Sequence, residues 1–255
     1  MLLGYLLDRN RIQLYVDFDR PLTEKELERM RTFIRRRAQG EPLAYILGEK
    51  EFMSLPFRVD KRVLIPRPET EHLVERALEL FKGVEKPLLV DVGTGSGAIA
   101  VSLAHYLPDC SVFALECRPE ILELARENAE TNGVRERIRF ILGDLLEPLE
   151  ETKEKADGVL ANPPYIPRRE LSGLSAEVRA QPELALDGGP DGLEFYEPIA
   201  KQAREVLKEK GYLGLEVGAG QAEEVKEILD KEGYTGIFAE EDYSGHKRCI
   251  WARIE

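Results

Sequence analysis

Asn162-Pro163-Pro164-Tyr165 stands 65 residues after the glycine run Gly93-Thr94-Gly95-Ser96-Gly97. Both follow short apolar segments, Leu88–Val92 and Asp157–Ala161. Glycines behind a buried strand let the backbone approach a ligand closely and adopt positive φ. The Asn-Pro-Pro-Tyr run is suited to holding a planar, weakly nucleophilic nitrogen. An amide nitrogen has its lone pair delocalised into its carbonyl, so it needs orientation and charge compensation to attack an electrophile. The side-chain oxygen of Asn162 and the backbone carbonyl of Pro163 would accept its two N–H bonds and offset the positive charge that develops on nitrogen. Pro163 and Pro164 stiffen the loop, and Tyr165 offers an aromatic face for the planar group. Together the two motifs imply methyl transfer from S-adenosylmethionine to an amide or amine nitrogen, leaving S-adenosylhomocysteine. The sulfonium is already a good leaving group, so no strong general base is required.

The glycine run alone is weaker. Gly93-x-Gly95-x-x-Ala98 also satisfies the dinucleotide fingerprint, and only the Asn162 loop turns the reading away from a dehydrogenase. An acid about 20 residues on should take the ribose hydroxyls, and Glu116 stands 19 residues after Gly97. Asp144 follows the next apolar run, where a carboxylate accepts from an adenine amino group, and Leu145 packs on the ring. The cofactor set is therefore Gly93 to Gly97, Glu116, Asp144, Leu145 and Asn162. The substrate set is Asn162, Pro163, Pro164 and Tyr165, of which Asn162, Pro163 and Tyr165 serve catalysis. His72, His105 and His246 have no ligand spacing, so no metal site is expected.

These residues need a frame that brings distant loops to one edge. From residue 87 short apolar runs alternate with amphipathic segments: strands at 88–92, 111–116, 138–142, 157–161 and 212–217, helices near 97–107, 118–132, 195–210 and 220–232. That alternation predicts an α/β fold with a mostly parallel sheet covered on both faces. Two further strands in 235–254, joined through Asp242-Tyr243-Ser244-Gly245, predict an antiparallel closing strand. The result is a seven-stranded, Rossmann-like sheet of the class I methyltransferase type over 69–255. Residues 1–40 read as a helical lobe, with Thr23–Glu26 as a capping box ahead of Leu27, Met30 and Ile34. Residues 41–68 read as a β-hairpin linker, from the alternation of Phe52, Leu55, Phe57 and Val59.

The net charge of −12 is uneven. Residues 1–86 carry 17 Lys/Arg against 15 Asp/Glu, and the remainder carries −14. A nucleic-acid enzyme usually shows a basic footprint, so a stable nucleic-acid complex is not expected. No apolar run nears the ~18 residues of a membrane span, and three unpaired cysteines (Cys110, Cys117, Cys249) suit a reducing compartment. A cytoplasmic monomer is the expectation.

The chain also resembles the HemK/PrmC family of peptide chain release factor glutamine methyltransferases over nearly its whole length. The resemblance rests on Pro42–Gly48 with Glu51-Phe52, Leu64-Ile65-Pro66-Arg67-Pro68-Glu69-Thr70-Glu71, Asp91–Ala100 and Asn162–Ile166. It continues through Ala185–Gly189, Asp191–Leu193, and Leu215–Gly218 with Gln221. It implies methylation of the side-chain amide nitrogen, N5, of the glutamine in the Gly-Gly-Gln motif of class-1 release factors, with the 1–40 lobe docking that partner. Three features depart from the family pattern: Glu116 replaces Asp, Gln181-Pro182 replaces Glu-Pro, and the N-terminal lobe is shortened. The Asn-Pro-Pro-Tyr loop is shared with enzymes that methylate adenine N6 or guanine N2, so a nucleic-acid amino methyltransferase is the alternative. A catalytically silent binding protein is a third.

Overall fold

The computed structural model of the chain describes residues 1–150, 152, 154–242 and 244–255. Tyr243, in the expected closing turn, lies outside the described residues. A seven-stranded sheet carries the molecule: β3 (Leu88–Val92), β4 (Ser111–Glu116), β5 (Ile138–Leu142), β6 (Ala156–Ala161), β7 (Leu207–Glu216), β8 (Thr235–Glu241) and β9 (Lys247–Arg253). Its order is β5-β4-β3-β6-β7-β9-β8. The first five run parallel, and β9 inserts antiparallel between β7 and β8. The expected parallel sheet with an antiparallel closing element is thus borne out.

Successive strand residues point to opposite faces, and both faces are covered. Val90, Val92, Val159 and Leu213 pack with α10 (Tyr196–Val206) and α11 (Ala222–Lys231). Leu89, Leu160 and Trp251 pack with α5 (Pro68–Phe81) and α6 (Ala98–Tyr106). α7 (Pro119–Thr131) lies against β4 and β5, and two single-turn helices, α8 (Glu147–Glu150) and α9 (Ala176–Arg179), precede α10 in the chain. No helix among the described residues is long and apolar enough to cross a membrane.

The N-terminal region forms α1 (Leu2–Leu7), α2 (Arg11–Val16) and α3 (Glu24–Ala38). The Thr23–Glu26 capping box is present: each residue's side chain accepts from the other's backbone N–H. α3 buries none of its residues fully, and Ile12, Tyr15, Val16 and Phe18 are exposed.

Two expected boundaries shift. The linker opens with a short helix, α4 (Leu43–Leu47), before the hairpin of β1 (Glu49–Phe52) and β2 (Leu55–Arg58). Tyr45 and Ile46 are adjacent and both buried, which a strand's alternation could not achieve on one face. The helix expected to reach residue 210 ends at Val206, because Leu207 pairs with Ala156 and extends β7.

Candidate active site

Strand register assembles the site. Val92 pairs with Leu115 on one side and Ala161 on the other, and Ala161 pairs with Leu215. The next residue of each strand therefore leaves the same carboxyl edge side by side: Gly93, Glu116, Asn162 and, ending β7, Glu216. This edge is where open α/β sheets bind ligands.

The loop after β3 passes Gly93, Gly95 and Gly97 at φ of 69°, 54° and 83°. Thr94 N–H donates to the Leu115 carbonyl at 2.8 Å, and its hydroxyl donates to Asp91 Oδ2 at 2.6 Å. The same Asp91 oxygen accepts from Ala100 N–H at 3.1 Å, tying loop to helix. Burial pushes the Asp91 carboxyl up to about 7 against those two hydrogen bonds. Below the loop, Glu116 Oε2 accepts from Gly95 N–H at 3.2 Å and Oε1 from Cys117 N–H at 2.9 Å. Both bonds aim the carboxylate across the loop and leave lone pairs for a diol.

These elements enclose a cavity of about 370 Å³, within the range of small-ligand sites. Its wall includes Gly93, Thr94, Gly95, Ser96, Glu116, Asp144, Leu145, Asn162, Pro163 and Pro164. Asp144 is exposed at the rim, and Leu145 takes φ 44°. Gly97 is not in the wall. It starts α6, and a Cβ there would stand 3.3 Å from the Ala125 Cβ. Tyr165 is not in that wall either. It lines an adjoining cavity with Asn162, Pro163, Arg67 and Arg248.

Asn162 lines both cavities. Its Nδ2 donates to Thr70 Oγ1 at 3.0 Å. Thr70 is held in the first turn of α5, which Pro68 opens and Glu69 and Glu71 stabilise at its positive end. Behind the loop, Gln221 Nε2 donates to the Tyr165 carbonyl at 2.9 Å. Ile166 bridges to Asp187, and Gly188 lies so close to Tyr165 that a Cβ would reach its Cα at 2.7 Å.

Several wall residues carried no sequence signal for a role. The strap Lys61–Leu64 with Pro66, Arg67 and Thr70 closes one side of the cavity. Tyr45 Oη donates to the Val63 carbonyl at 2.6 Å, and Gln181 Oε1 accepts from Ile65 N–H at 3.1 Å. Gln181 Nε2 also donates to the Glu177 carbonyl at 3.3 Å, a bond that an ionised Glu could not make. The Pro-Arg-Pro-Glu-Thr run was the one available pointer to this strap. Among the described residues no group of three or more His, Cys, Asp or Glu could hold a metal.

The fold and this edge define a class I S-adenosylmethionine-dependent methyltransferase. Residues 87–234 match the family model described as a methyltransferase domain, and residues 1–48 match the PrmC N-terminal domain. The release factor glutamine methyltransferase of Geobacter sulfurreducens is 43% identical over 254 residues, covering 99% of this chain and 87% of the relative. That of Moorella thermoacetica is 46% identical over 213 residues, covering 84% and 75%. The chain belongs to the release factor glutamine methyltransferase family. The hMettl16 catalytic domain, solved with a UTR hairpin, shares the fold at a TM-score of 0.65 and 16% identity, covering 100% of this chain and 92% of that one.

Proposed function

We propose that this chain methylates the side-chain amide nitrogen, N5, of the glutamine in the Gly-Gly-Gln motif of class-1 peptide chain release factors. The observation that carries the reading is the anchored amide of Asn162. Its Nδ2 is committed to Thr70, so its oxygen is the atom left to accept from a substrate N–H. Family membership selects the glutamine amide among possible nitrogen substrates.

When bound, S-adenosylmethionine supplies a sulfonium methyl: the C–S bond breaks as the new N–C bond forms, S-adenosylhomocysteine leaves, and the amide releases one proton to water. Gly93 to Ser96 would hold its methionine part, with Gly97 shaping the loop from behind. Glu116 would take the ribose hydroxyls, and Asp144 with Leu145 the adenine. Asn162 and the Pro163 carbonyl orient the acceptor nitrogen and offset charge developing on it. Tyr165, from the adjoining cavity, flanks the glutamine side chain. The exposed Ile12, Tyr15, Val16 and Phe18 support a docking role for the N-terminal lobe.

The test is mass spectrometry of an unmodified class-1 release factor after incubation with the protein and labelled S-adenosylmethionine, beside unmodified DNA and rRNA. A single added CH₂ on the Gly-Gly-Gln peptide is expected. Label only in nucleic acid would favour an adenine or guanine amino group and overturn the proposal.

A further inference from the structure

Behind the Asn162–Thr70 pair lies a buried acid that the reaction above does not use. Glu216 ends β7, next to Leu215, the register partner of Ala161. It is 1% exposed, and its Oε2 has no hydrogen-bond partner among the described residues. A buried carboxyl with a free oxygen is costly unless something else uses it. The side-chain hydroxyls of Thr70 and Tyr165 both favour its ionised form.

The other groups around it are charged or titratable on three elements. β9 presents Arg248 and Cys249, α5 presents Glu69, and α10 presents Tyr196. The Tyr196 hydroxyl itself donates to the Glu216 backbone carbonyl at 3.0 Å. Burial pushes the Glu216 carboxyl up to about 7, with Thr70, Arg248 and Tyr165 pulling it down and Glu69 pushing it up.

We propose that Glu216 is a positioning residue for methyl transfer, which sets the direction of the Thr70 hydroxyl and thereby the orientation of the Asn162 amide. The proton count gives the reason. Thr70 has one hydroxyl proton, and its oxygen receives Asn162 Nδ2–H. An ionised Glu216 accepts that proton, so Thr70 stays an acceptor toward Asn162 and the Asn162 oxygen faces the substrate. A protonated Glu216 donates to the Thr70 oxygen instead. The Thr70 proton then turns toward Asn162 and favours the flipped amide, whose NH₂ would meet the substrate's own NH₂. Two donors facing each other cannot orient the acceptor nitrogen.

This inference rests on the proposed amide substrate, and the experiment separates the two. Turnover of a class-1 release factor is measured across pH 5.5–9 for the wild type, Glu216→Gln, Thr70→Val and Thr70→Ser, with cofactor affinity measured by calorimetry. In the wild type kcat should rise with pH as Glu216 ionises. Glu216→Gln should lose about tenfold in kcat at pH 8, the worth of one ordinary hydrogen bond, and should lose that rising limb. S-adenosylmethionine affinity should stay unchanged. Thr70→Val should lose the limb as well, and Thr70→Ser, which keeps the hydroxyl, should restore it. A Glu216→Gln enzyme with wild-type kcat and an unaltered profile overturns the assignment. So does a Thr70→Val enzyme that retains the limb, a readout that stands even if Glu216→Gln does not fold. Absence of any wild-type transfer to the release factor overturns the substrate reading instead.

Discussion

Asn128 Nδ2 donates to the backbone carbonyl of Ser96 at 2.8 Å, tying helix α7 to the glycine loop. The same side chain grips the linker: Nδ2 donates to the Arg58 carbonyl at 3.0 Å and Oδ1 accepts from Arg58 N–H at 2.7 Å. One buried amide thus fixes the β1–β2 hairpin, α7 and the floor of the cofactor cavity to each other.

Asn128→Ala strands three backbone groups: the buried Ser96 carbonyl, costing about 1–3 kcal/mol when unmet, and the part-buried Arg58 N–H and carbonyl, which water can partly serve. A total loss of roughly 2–4 kcal/mol is expected, since larger single-site effects are exceptional. Urea denaturation checks it, and calorimetry should show weaker S-adenosylmethionine binding as the loop loosens. Unchanged stability would mean that the hairpin is held by other contacts.

Asn162→Ala removes the acceptor proposed for the substrate amide without touching the glycine loop. A fall in kcat of about 10²–10³-fold is expected, the scale of removing one preorganised polar group from a reacting centre. Cofactor affinity should survive. Single-turnover assays on a release factor, alongside calorimetry, separate the two effects.

Glu116→Gln keeps an oxygen for Gly95 N–H but removes the charge offered to the ribose diol. Hydrogen bonds to charged groups are worth about 1.5–3 kcal/mol, so S-adenosylmethionine should bind roughly 10- to 150-fold more weakly. Equal affinity in titration calorimetry would take Glu116 out of the cofactor site.

Gly97→Ala tests the loop from behind. The residue sits at φ 83°, and the new Cβ would lie 3.3 Å from Ala125 Cβ and 3.4 Å from its Cα and carbonyl oxygen. Left-handed strain of about 1–2 kcal/mol plus the tight contact predicts a loss of about 1–3 kcal/mol. Calorimetric melting should register a fall of about 2–4 °C per kcal/mol.

Asp91 makes stability depend on pH. Its carboxyl ordinarily titrates at 3.8, and burial raises it to about 7 in the folded chain. Between those values the native state holds the proton that the unfolded state has lost. Stability from this group therefore falls as pH rises through the window, and the loss is complete above it. Asp91→Asn should flatten that slope. Denaturation midpoints of the two proteins taken from pH 4 to pH 8 should diverge progressively, and a constant difference would contradict the assignment.

Much of this was legible in the chain itself. Short apolar runs placed β3, β4 and β5 at their observed limits, with least ambiguity for β3 and β4, which are buried on both faces. Thr23 and Glu26 announced the start of α3, since capping is a local bond. The glycine run and the Asn162 loop announced a ligand edge, because only special backbone and a stiff turn explain those residue types. Tertiary structure alone decided the rest. Leu207 became strand rather than helix because Ala156 was there to pair with it. Tyr165 faced the adjoining cavity rather than the cofactor side. Thr70, 92 residues before Asn162, met its amide only through the docking of α5, and Glu216, at the end of another strand, came to the same sheet edge only through register. No local pattern encodes such a meeting: a threonine in a first helical turn and a glutamate ending a strand are ordinary residues until packing removes the water between them.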